Sequence, residues 1–226
     1  TLTHSAVSGN TSYKVDTTAP TANFTAATDD VGTVTGALTS GSTTDDTALV
    51  LSGNNESGSS VKVYNGSTEL GSATVSGTSW SYTATVANGT TYQFNVKETD
   101  LAGNTSDATS NFTVTGDTTA PSVRLNTGNI NASGSAQVRS TETGTVYLIK
   151  DTVSVSNLSS ITGAADNLWN SVTISSPNTT TNLSVAGLIN GTYKAYAVDY
   201  AGNLSSASST IVNVDLTIPT ITNVAI

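Results

Sequence analysis

Acidic side chains recur in this sequence at a fixed spacing, and their chemistry is the most specific that it carries. Asp16 opens the segment Asp-Thr-Thr-Ala-Pro, and Asp117 opens the same segment 101 residues later. Asp100 opens Asp-Leu-Ala-Gly-Asn, and Asp199 opens the matching Asp-Tyr-Ala-Gly-Asn 99 residues later. Two motifs that share one period indicate a repeating structural unit of about 100 residues.

The repeat also places the domain boundaries. The first unit is predicted at residues 16–116 and the second at 117–215. Residues 1–15 are interpreted as the remnant of a preceding unit's last strand, and residues 216–226 as the start of a next unit or a tail. Each linker is short and contains a proline, which fixes φ, so we expect the joints to be stiffer than a Gly/Ser linker.

The elements that must position these aspartates are short strands. Apolar and polar residues alternate with period two, and no helical period persists for a dozen residues. Strands are predicted at 48–51, 61–64, 80–86, 92–96 and 112–114, and in the second unit at 123–125, 136–138, 146–149, 172–174, 193–198 and 211–214. This pattern predicts an all-β fold of two tandem immunoglobulin-like Greek-key β-sandwiches, arranged end to end.

The strand path predicts that three carboxylates meet at one end of each sandwich. Because successive strands alternate in direction, the loop before the last strand lies at the end where the first strand begins. The loop between the second and third strands lies at that end too. The predicted sets are Asp16, Glu56 and Asp100 in the first unit, and Asp117, Glu142 and Asp199 in the second.

Calcium is the predicted cofactor of these sets. Carboxylates that lie close together repel one another, and Ca²⁺ takes six to eight oxygen ligands in flexible geometry, whereas Mg²⁺ is stricter. Each aspartate taken alone is typical of a turn cap, but the repetition of the whole set favours calcium.

A further pair of carboxylates is predicted at the joint between the two units. Asp29 and Asp30 begin the long loop 28–46, at the end of the first unit that faces Asp117, so a calcium ion is expected to bridge both units there. Asp45 and Asp46 end the same loop; they are either further ligands or turn and strand-start residues, and we favour the second interpretation.

Composition excludes several other classes. The 226 residues carry 16 acidic and 7 basic side chains, a net charge of -9, which argues against nucleic-acid binding. No apolar stretch of about 18 residues is present, so no membrane insertion is expected. Cysteine is absent and His4 is the one histidine, which leaves no thiol nucleophile and no plausible Ser-His-Asp triad. We therefore expect that the chain is not an enzyme.

The segment 151–170 of the second unit has no counterpart in the first and is predicted to be a loop with a short helix. Two interpretations remain open. The segment binds a ligand, or it is a capping insertion whose Trp169 joins the core. We favour the second.

The Asp-Thr-Thr-Ala-Pro openings, the Asp29-Asp30-Val31-Gly32 stretch and the Asp-x-Ala-Gly-Asn loops resemble the bacterial Ig-like repeats of giant RTX adhesins, which are exported by type I secretion. The resemblance covers the first unit well. It covers the second unit at its ends and in 142–148, whereas the middle of that unit departs from the pattern.

The resemblance implies an extender segment on the bacterial cell surface, with calcium stiffening the domain junctions. It implies neighbouring Ig-like domains of the same chain as partners, and a host-surface glycan or protein met by distal domains in adhesion or biofilm formation. Two alternatives stay open: binding of a glycan or peptide by the second unit, and an accessory Ig-like module of a secreted polysaccharide-degrading enzyme.

Overall fold

A computed structural model describes residues 15–126 and 128–217 of the chain. The remnant strand predicted at 1–15 lies outside the described residues except for Val15, and His4 lies outside them as well. The predicted start of a next unit or tail is described at Leu216 and Thr217 alone.

The first repeat is built from strands of two to nine residues. They are β1 Ala26–Asp29, β2 Gly36–Ala37, β3 Ser42–Thr44, β4 Ala48–Asn54, β5 Ser60–Asn65, β6 Thr68–Ser72, β7 Thr74–Ser76, β8 Ser79–Thr85, β9 Thr91–Thr99 and β10 Phe112–Gly116. One sheet has the order β2-β1-β4-β8-β7, and the other has the order β3-β10-β9-β5-β6. The strands predicted in this repeat are all present.

Local sequence explains how these strands pair. β5 and β6 form an antiparallel hairpin across the Asn65-Gly66 turn, where Gly66 has a φ of 59°. Such a positive φ is easy for glycine and costly for most other residues. β3 pairs with β10 in parallel, with Val114 opposite Ser42, and this pairing brings loop 28–46 beside the end of β10.

The second repeat has the same plan with fewer strands in its smaller sheet. Its strands are β11 Val123–Leu125, β12 Gly128–Ile130, β13 Ser135–Ser140, β14 Gly144–Lys150, β15 Trp169–Ile174, β16 Thr181–Ser184, β17 Gly191–Asp199 and β18 Val212–Val214. The sheets have the orders β11-β13-β16 and β12-β18-β17-β14-β15. The strands predicted here are confirmed, while β12 and β16 were not predicted.

One hydrophobic cluster joins both sheets of the second repeat. Val138 and Leu183 from the smaller sheet belong to the same cluster as Leu148, Tyr193 and Val212 from the larger one. Each fully buried side chain of this size contributes about 1.5–3 kcal/mol. The chain therefore forms immunoglobulin-like β-sandwiches, as the alternating pattern predicts.

The insertion contains the predicted short helix, α1 Leu158–Thr162. Asn157 caps it: its side chain accepts the amide hydrogen of Ser160, and the Ser160 side chain bonds the Asn157 backbone in return. A 3-10 turn follows at Asp166–Leu168. No helix within the described ranges is long and apolar enough to cross a membrane.

The expectation that Trp169 joins the core is wrong. Val172 and Ile174 of β15 contact the central cluster, so Trp169, at odd spacing from them, lies on the opposite face of the strand. There it pairs with Ile149 across the sheet, and its ring lies 5.9 Å from the ring of Tyr147. Period-two alternation decides the face on which an aromatic residue lies, whatever its hydrophobicity.

The chain divides into two compact units, and the division passes through the first repeat. One unit contains 15–25, Ser52–Tyr82 and Phe94–Asn111, and the other contains Ala26–Leu51, Thr83–Gln93 and 112–217. Loop 28–46, the linker at Asp117 and the described part of the second repeat therefore lie in the same unit.

Candidate metal centre

Asp117 occupies the linker directly after β10 and is held by its backbone. Its amide donates to the carbonyl of Thr44 at 2.8 Å, and its carbonyl accepts from Nδ2 of Asn203 at 2.8 Å. Its carboxylate Oδ1 accepts the amide hydrogen of Thr119 at 3.1 Å. These bonds fix the linker between loop 28–46 and the Asp199 loop.

Asp199 ends β17 and closes its own loop. Oδ1 accepts the amide hydrogens of Gly202 and Asn203, both at 2.9 Å, and Oδ2 accepts from Nδ2 of Asn203 at 2.9 Å. The residue is only 6 % exposed. The Asp-Tyr-Ala-Gly-Asn sequence is therefore a rigid turn that holds one carboxylate in a buried position.

Glu142 reaches the same place from the loop between β13 and β14. Gly144, two residues later, pairs with Asp199 across the sheet. One carboxylate oxygen each from Asp117, Glu142 and Asp199 lies within 4.8 Å of the others. The structure thus brings together the second predicted set.

This group has no basic partner. Among the described residues, no Lys or Arg forms an ion pair with these three carboxylates. Burial raises the pKa of Asp199, against the hydrogen bonds from Asn203, and the charge of Asp117 raises it further. Burial raises the pKa of Glu142 as well, followed by the charges of Asp117 and Asp199. The arrangement disfavours three ionised groups and favours a bound cation.

Asp29 lies beside this group and Asp30 does not join it. Asp29 is 2 % exposed; its Oδ2 accepts from the Thr44 hydroxyl at 2.5 Å, and its Oδ1 accepts the amide hydrogen of Val31 at 3.0 Å. The Thr44 carbonyl accepts the amide hydrogen of Asp117, so Thr44 connects Asp29 to the backbone of the linker. Asp30 is exposed to solvent.

Asp45 and Asp46, interpreted from sequence as turn residues, contribute free oxygens to the joint. Oδ1 of Asp45 and Oδ2 of Asp46 are buried and accept no hydrogen bond from any described residue. Asp46 is 2 % exposed, and its Oδ1 does cap the strand start by accepting the amide hydrogen of Ala48 at 2.7 Å. A buried oxygen without a donor is costly, and a cation would satisfy it.

The pKa of Asp45 responds to carboxylates of its own loop and to Asp199 of the second repeat. Burial raises it to about 6, and the charges of Asp29, Asp199 and Asp46 add to the effect. The sequence left both roles open for Asp45 and Asp46, because they end the loop that Asp29 begins, and it favoured the turn interpretation.

Gly32 makes room for the Asp45 carboxylate. A Cβ at this position, where φ is +72°, would lie 2.0 Å from Oδ2 of Asp45. The adjacent Thr33 hydroxyl donates to the carbonyl of Gly202, within the same compact unit. The Asp-Asp-Val-Gly segment therefore places its following residues directly on the Asp199 loop.

The first predicted set is arranged differently. Asn104 bonds the carbonyl of Asp16 at 3.2 Å and both oxygens of Asp100, at 2.8 and 2.7 Å, which reproduces the turn of the second repeat. However, the carboxylates of Asp16, Glu56 and Asp100 do not form a close group among the described residues. Glu56 is exposed, and its amide donates to Oε1 of buried Glu98 at 2.5 Å.

The same motif has opposite electrostatics in the two repeats. Hydrogen bonds from Asn104 lower the pKa of Asp100, whereas burial raises that of Asp199. The difference follows from what lies against each loop. Gly202 is packed close to Val34, while no atom of the described residues lies within 4 Å of a Cβ built on the equivalent Gly103.

We expect the calcium-free chain to become more stable as the pH falls from 7 to 5. Asp45 binds a proton more tightly when folded, with a pKa near 6, than when unfolded, with a pKa near 3.8, so its ionisation opposes folding above pH 6 and this penalty fades below it. Asp45→Asn should raise the melting temperature at pH 7 and flatten this pH dependence. Melting curves from pH 5 to 8 test this; an unchanged slope in the variant contradicts the assignment.

The family comparison agrees with the fold. Residues 8–118 match the family model of a bacterial Ig-like domain. No curated protein matches the sequence significantly.

Solved structures with a similar arrangement are distant in sequence. The fibronectin(III)-like modules of Clostridium thermocellum CbhA share 15% identity over 79% of this chain and 90% of theirs, with a TM-score of 0.47. The FN1-FN3 domains of chicken CNTN1 share 13% sequence identity over 86% of this chain and 65% of theirs, with a TM-score of 0.41. Bacteroides ovatus SGBP-B, solved with a mixed-linkage heptasaccharide, shares 15% sequence identity over 77% of this chain and 42% of its own, with a TM-score of 0.27.

The family match spans the first repeat, and the sheet orders of this repeat are those of an immunoglobulin-like sandwich. The second repeat carries the same linker and loop motifs on the same plan of sheets. Residues 8–118 therefore match a bacterial Ig-like domain, and the second repeat shares the linker and loop motifs of the matched segment.

Proposed function

We propose that this chain is an extender segment of a large bacterial cell-surface adhesin, in which calcium stiffens the joint between Ig-like domains. In this proposal the segment is extracellular, its partners are the neighbouring Ig-like domains of the same chain, and it holds distal ligand-binding domains away from the cell for adhesion or biofilm formation. It assigns no catalytic role to any residue.

The convergence of Asp117, Glu142 and Asp199 carries the proposal. These side chains come from the linker and from two loops of the second repeat, and the buried Asp29 and Asp46 and the half-buried Asp45 come from a loop of the first. Two like charges 4 Å apart repel by about 1 kcal/mol in water and about 4 kcal/mol at an effective dielectric constant of 20. A joint made of such groups separates readily unless a cation neutralises it.

The donor set fits calcium. Every candidate ligand is a carboxylate oxygen, as hard cations prefer, and no thiol or imidazole lies among them. Asp117, Glu142 and Asp199 would hold one ion. The unsatisfied oxygens of Asp45 and Asp46 would serve the same or a second ion on the side of the first repeat. Bound calcium would supply charge neutralisation and bonds between segments that are far apart in sequence.

Small-angle scattering of the 226-residue chain, with and without calcium, tests the proposal. We expect a narrower distribution of interatomic distances and a larger maximum dimension in millimolar calcium, because neutralised loops hold the joint in one geometry. Glu142→Gln should reduce this change. Equal scattering curves in both conditions would contradict the proposal that calcium stiffens the joint.

A second candidate function is ligand binding by the second repeat. Trp169 and Tyr147 form a half-buried aromatic pair outside the core, and Trp169 directly follows the 3-10 turn of the insertion. Half-buried aromatic faces outside the core suit glycans or peptides. Glycan and peptide arrays probed with the chain and with Trp169→Ala test this; binding that survives the substitution argues against the site.

A further inference from the structure

Two of the seven basic residues lie directly opposite each other in the second repeat. Arg124 in β11 pairs with Arg139 in β13, and the next pair in the register, Leu125 with Val138, belongs to the core. Successive side chains point to opposite faces, so both guanidinium groups lie on the outer face of the sheet. Like charges directly opposite destabilise a strand pair.

No carboxylate in the described part of the chain pairs with either arginine. The Arg124 side chain forms no hydrogen bond or ion pair with any residue in 15–126 or 128–217. Arg139 donates from Nη2 to Oδ1 of Asn178 at 3.2 Å, and this partner is neutral. In a chain with 16 acidic side chains, two adjacent arginines without an acidic partner leave a local positive site.

The two arginines line a small polar cavity of about 270 Å³. The other lining residues are Ser122, Ser140, Thr141 and Asn178. The rim is fixed, because the Ser122 amide donates to the Thr141 hydroxyl at 2.8 Å and the Thr141 amide donates to the Ser122 carbonyl at 3.0 Å. Its volume suits one small ion or a single sugar unit, below the usual range of about 300–1,000 Å³ for drug-sized ligands.

Asn178 holds Arg139 at this cavity from an unusual backbone conformation. It is the one non-glycine residue with a positive φ, 60°, in the described part of the chain. Its amide donates to the Ser140 carbonyl at 2.7 Å, which ties the turn to β13. Asparagine tolerates this conformation better than most residues, and here it directs the side-chain oxygen to a guanidinium group.

The fold itself does not require the arginine pair. At the repeat spacing of 101 residues, Arg124 corresponds to the neutral Asn23 of the first repeat. There the Asn23 carbonyl accepts from Nε1 of Trp80 at 2.9 Å, so the position has an ordinary structural role.

We propose that the cavity between Arg124 and Arg139 binds a small oxyanion, whose oxygens bridge the two guanidinium groups. Arginine forks match carboxylate, sulfate and phosphate groups, and charge-assisted hydrogen bonds of this kind are the stronger class. Ser122, Thr141 and Asn178 surround the site with groups that accept or donate to hydroxyls. A free inorganic anion and the acidic unit of a polysaccharide share this chemistry.

An NMR titration of the ¹⁵N-labelled, calcium-free chain in low-salt buffer tests the site. The probes are sodium sulfate and sodium glucuronate. We expect saturable shifts confined to the amides near Arg124, Arg139 and Asn178, with a dissociation constant of about 1 mM. Arg124→Gln and Arg139→Gln should each weaken binding about tenfold or more. Lys194→Gln, which removes the same charge from the other sheet, should leave it unchanged.

The two probes distinguish the sources. Saturation by both anions, or by sulfate alone, supports an oxyanion site, and saturation by glucuronate alone supports one that takes an acidic sugar. Linear, unsaturable shifts with both probes, or equal affinity in Arg124→Gln, would overturn the inference. Since the titration uses no calcium, its outcome is independent of the proposed joint.

Discussion

Asp199→Asn is expected to abolish most of the calcium-dependent rise in melting temperature. A ligand present at 100 times its dissociation constant stabilises the folded state by about 2.7 kcal/mol, which corresponds to roughly 5–10 °C for a chain of this size. Asp199 belongs to the close carboxylate group and also raises the pKa of Asp45 on the other side of the joint. Removing its charge therefore affects both the close carboxylate group and Asp45 in the loop of the first repeat.

The calcium-free variant separates metal binding from folding. The substitution relieves repulsion but loses the bond from Nδ2 of Asn203 to Oδ2, so the two effects oppose each other. We expect a melting temperature near that of the unaltered chain without calcium, and a much smaller rise on adding it. Asp107→Asn, at an exposed position of the first repeat, is the matched control and should keep the full rise. A full rise in Asp199→Asn as well would contradict the assignment.

Gly144→Ala is expected to destabilise the second repeat by about 3 kcal/mol or more. Gly144 has a φ of +144°, and a Cβ there would lie 2.1 Å from the Val198 carbonyl oxygen and 2.7 Å from Cα of Asp199. Both atoms belong to the backbone, so no side-chain rotation can relieve the overlap. The end of β14 must then separate from β17, which displaces the carboxylate loop and should abolish calcium binding.

Gly187→Ala provides the comparison for this substitution. Gly187 also has a positive φ, +82°, but no atom lies within 4 Å of the position that a Cβ would take, so only the backbone penalty of about 1–2 kcal/mol applies. Chemical denaturation of both variants, with calcium binding measured in parallel, isolates the steric part. Equal losses of stability in the two variants would show that the close approach at Gly144 is unimportant.

Sequence predicted the second carboxylate set because it follows from topology alone. Asp117, Glu142 and Asp199 stand next to strand ends, and strand direction assigns them to one end of the sandwich. The same reasoning did not foresee the arrangement of Glu56, because that depends on a side-chain bond: buried Glu98 accepts the Glu56 amide hydrogen. Nothing in the alternation of residues predicts a buried glutamate at that point.

The sequence left the role of Asp45 and Asp46 open between ligands and turn residues, and pattern reasoning favoured the turn. Aspartate before a strand is typical of a turn, and Asp46 has that role through Ala48. Its second oxygen, like Oδ1 of Asp45, is buried because the residues around it pack closely, and burial of single atoms depends on tertiary contacts. Short edge strands such as β12 and β16 were missed for a related reason, since three or four residues carry too little alternation to be distinguished from loop.

Isothermal titration calorimetry of calcium into the metal-free chain tests the central claim most directly. We predict saturable binding of at least one ion per chain, which Asp199→Asn weakens strongly and Asp107→Asn leaves unchanged. An absence of saturable heat in the unaltered chain at millimolar calcium, or binding that Asp199→Asn leaves intact, would contradict the assignment of the joint carboxylates as a calcium site.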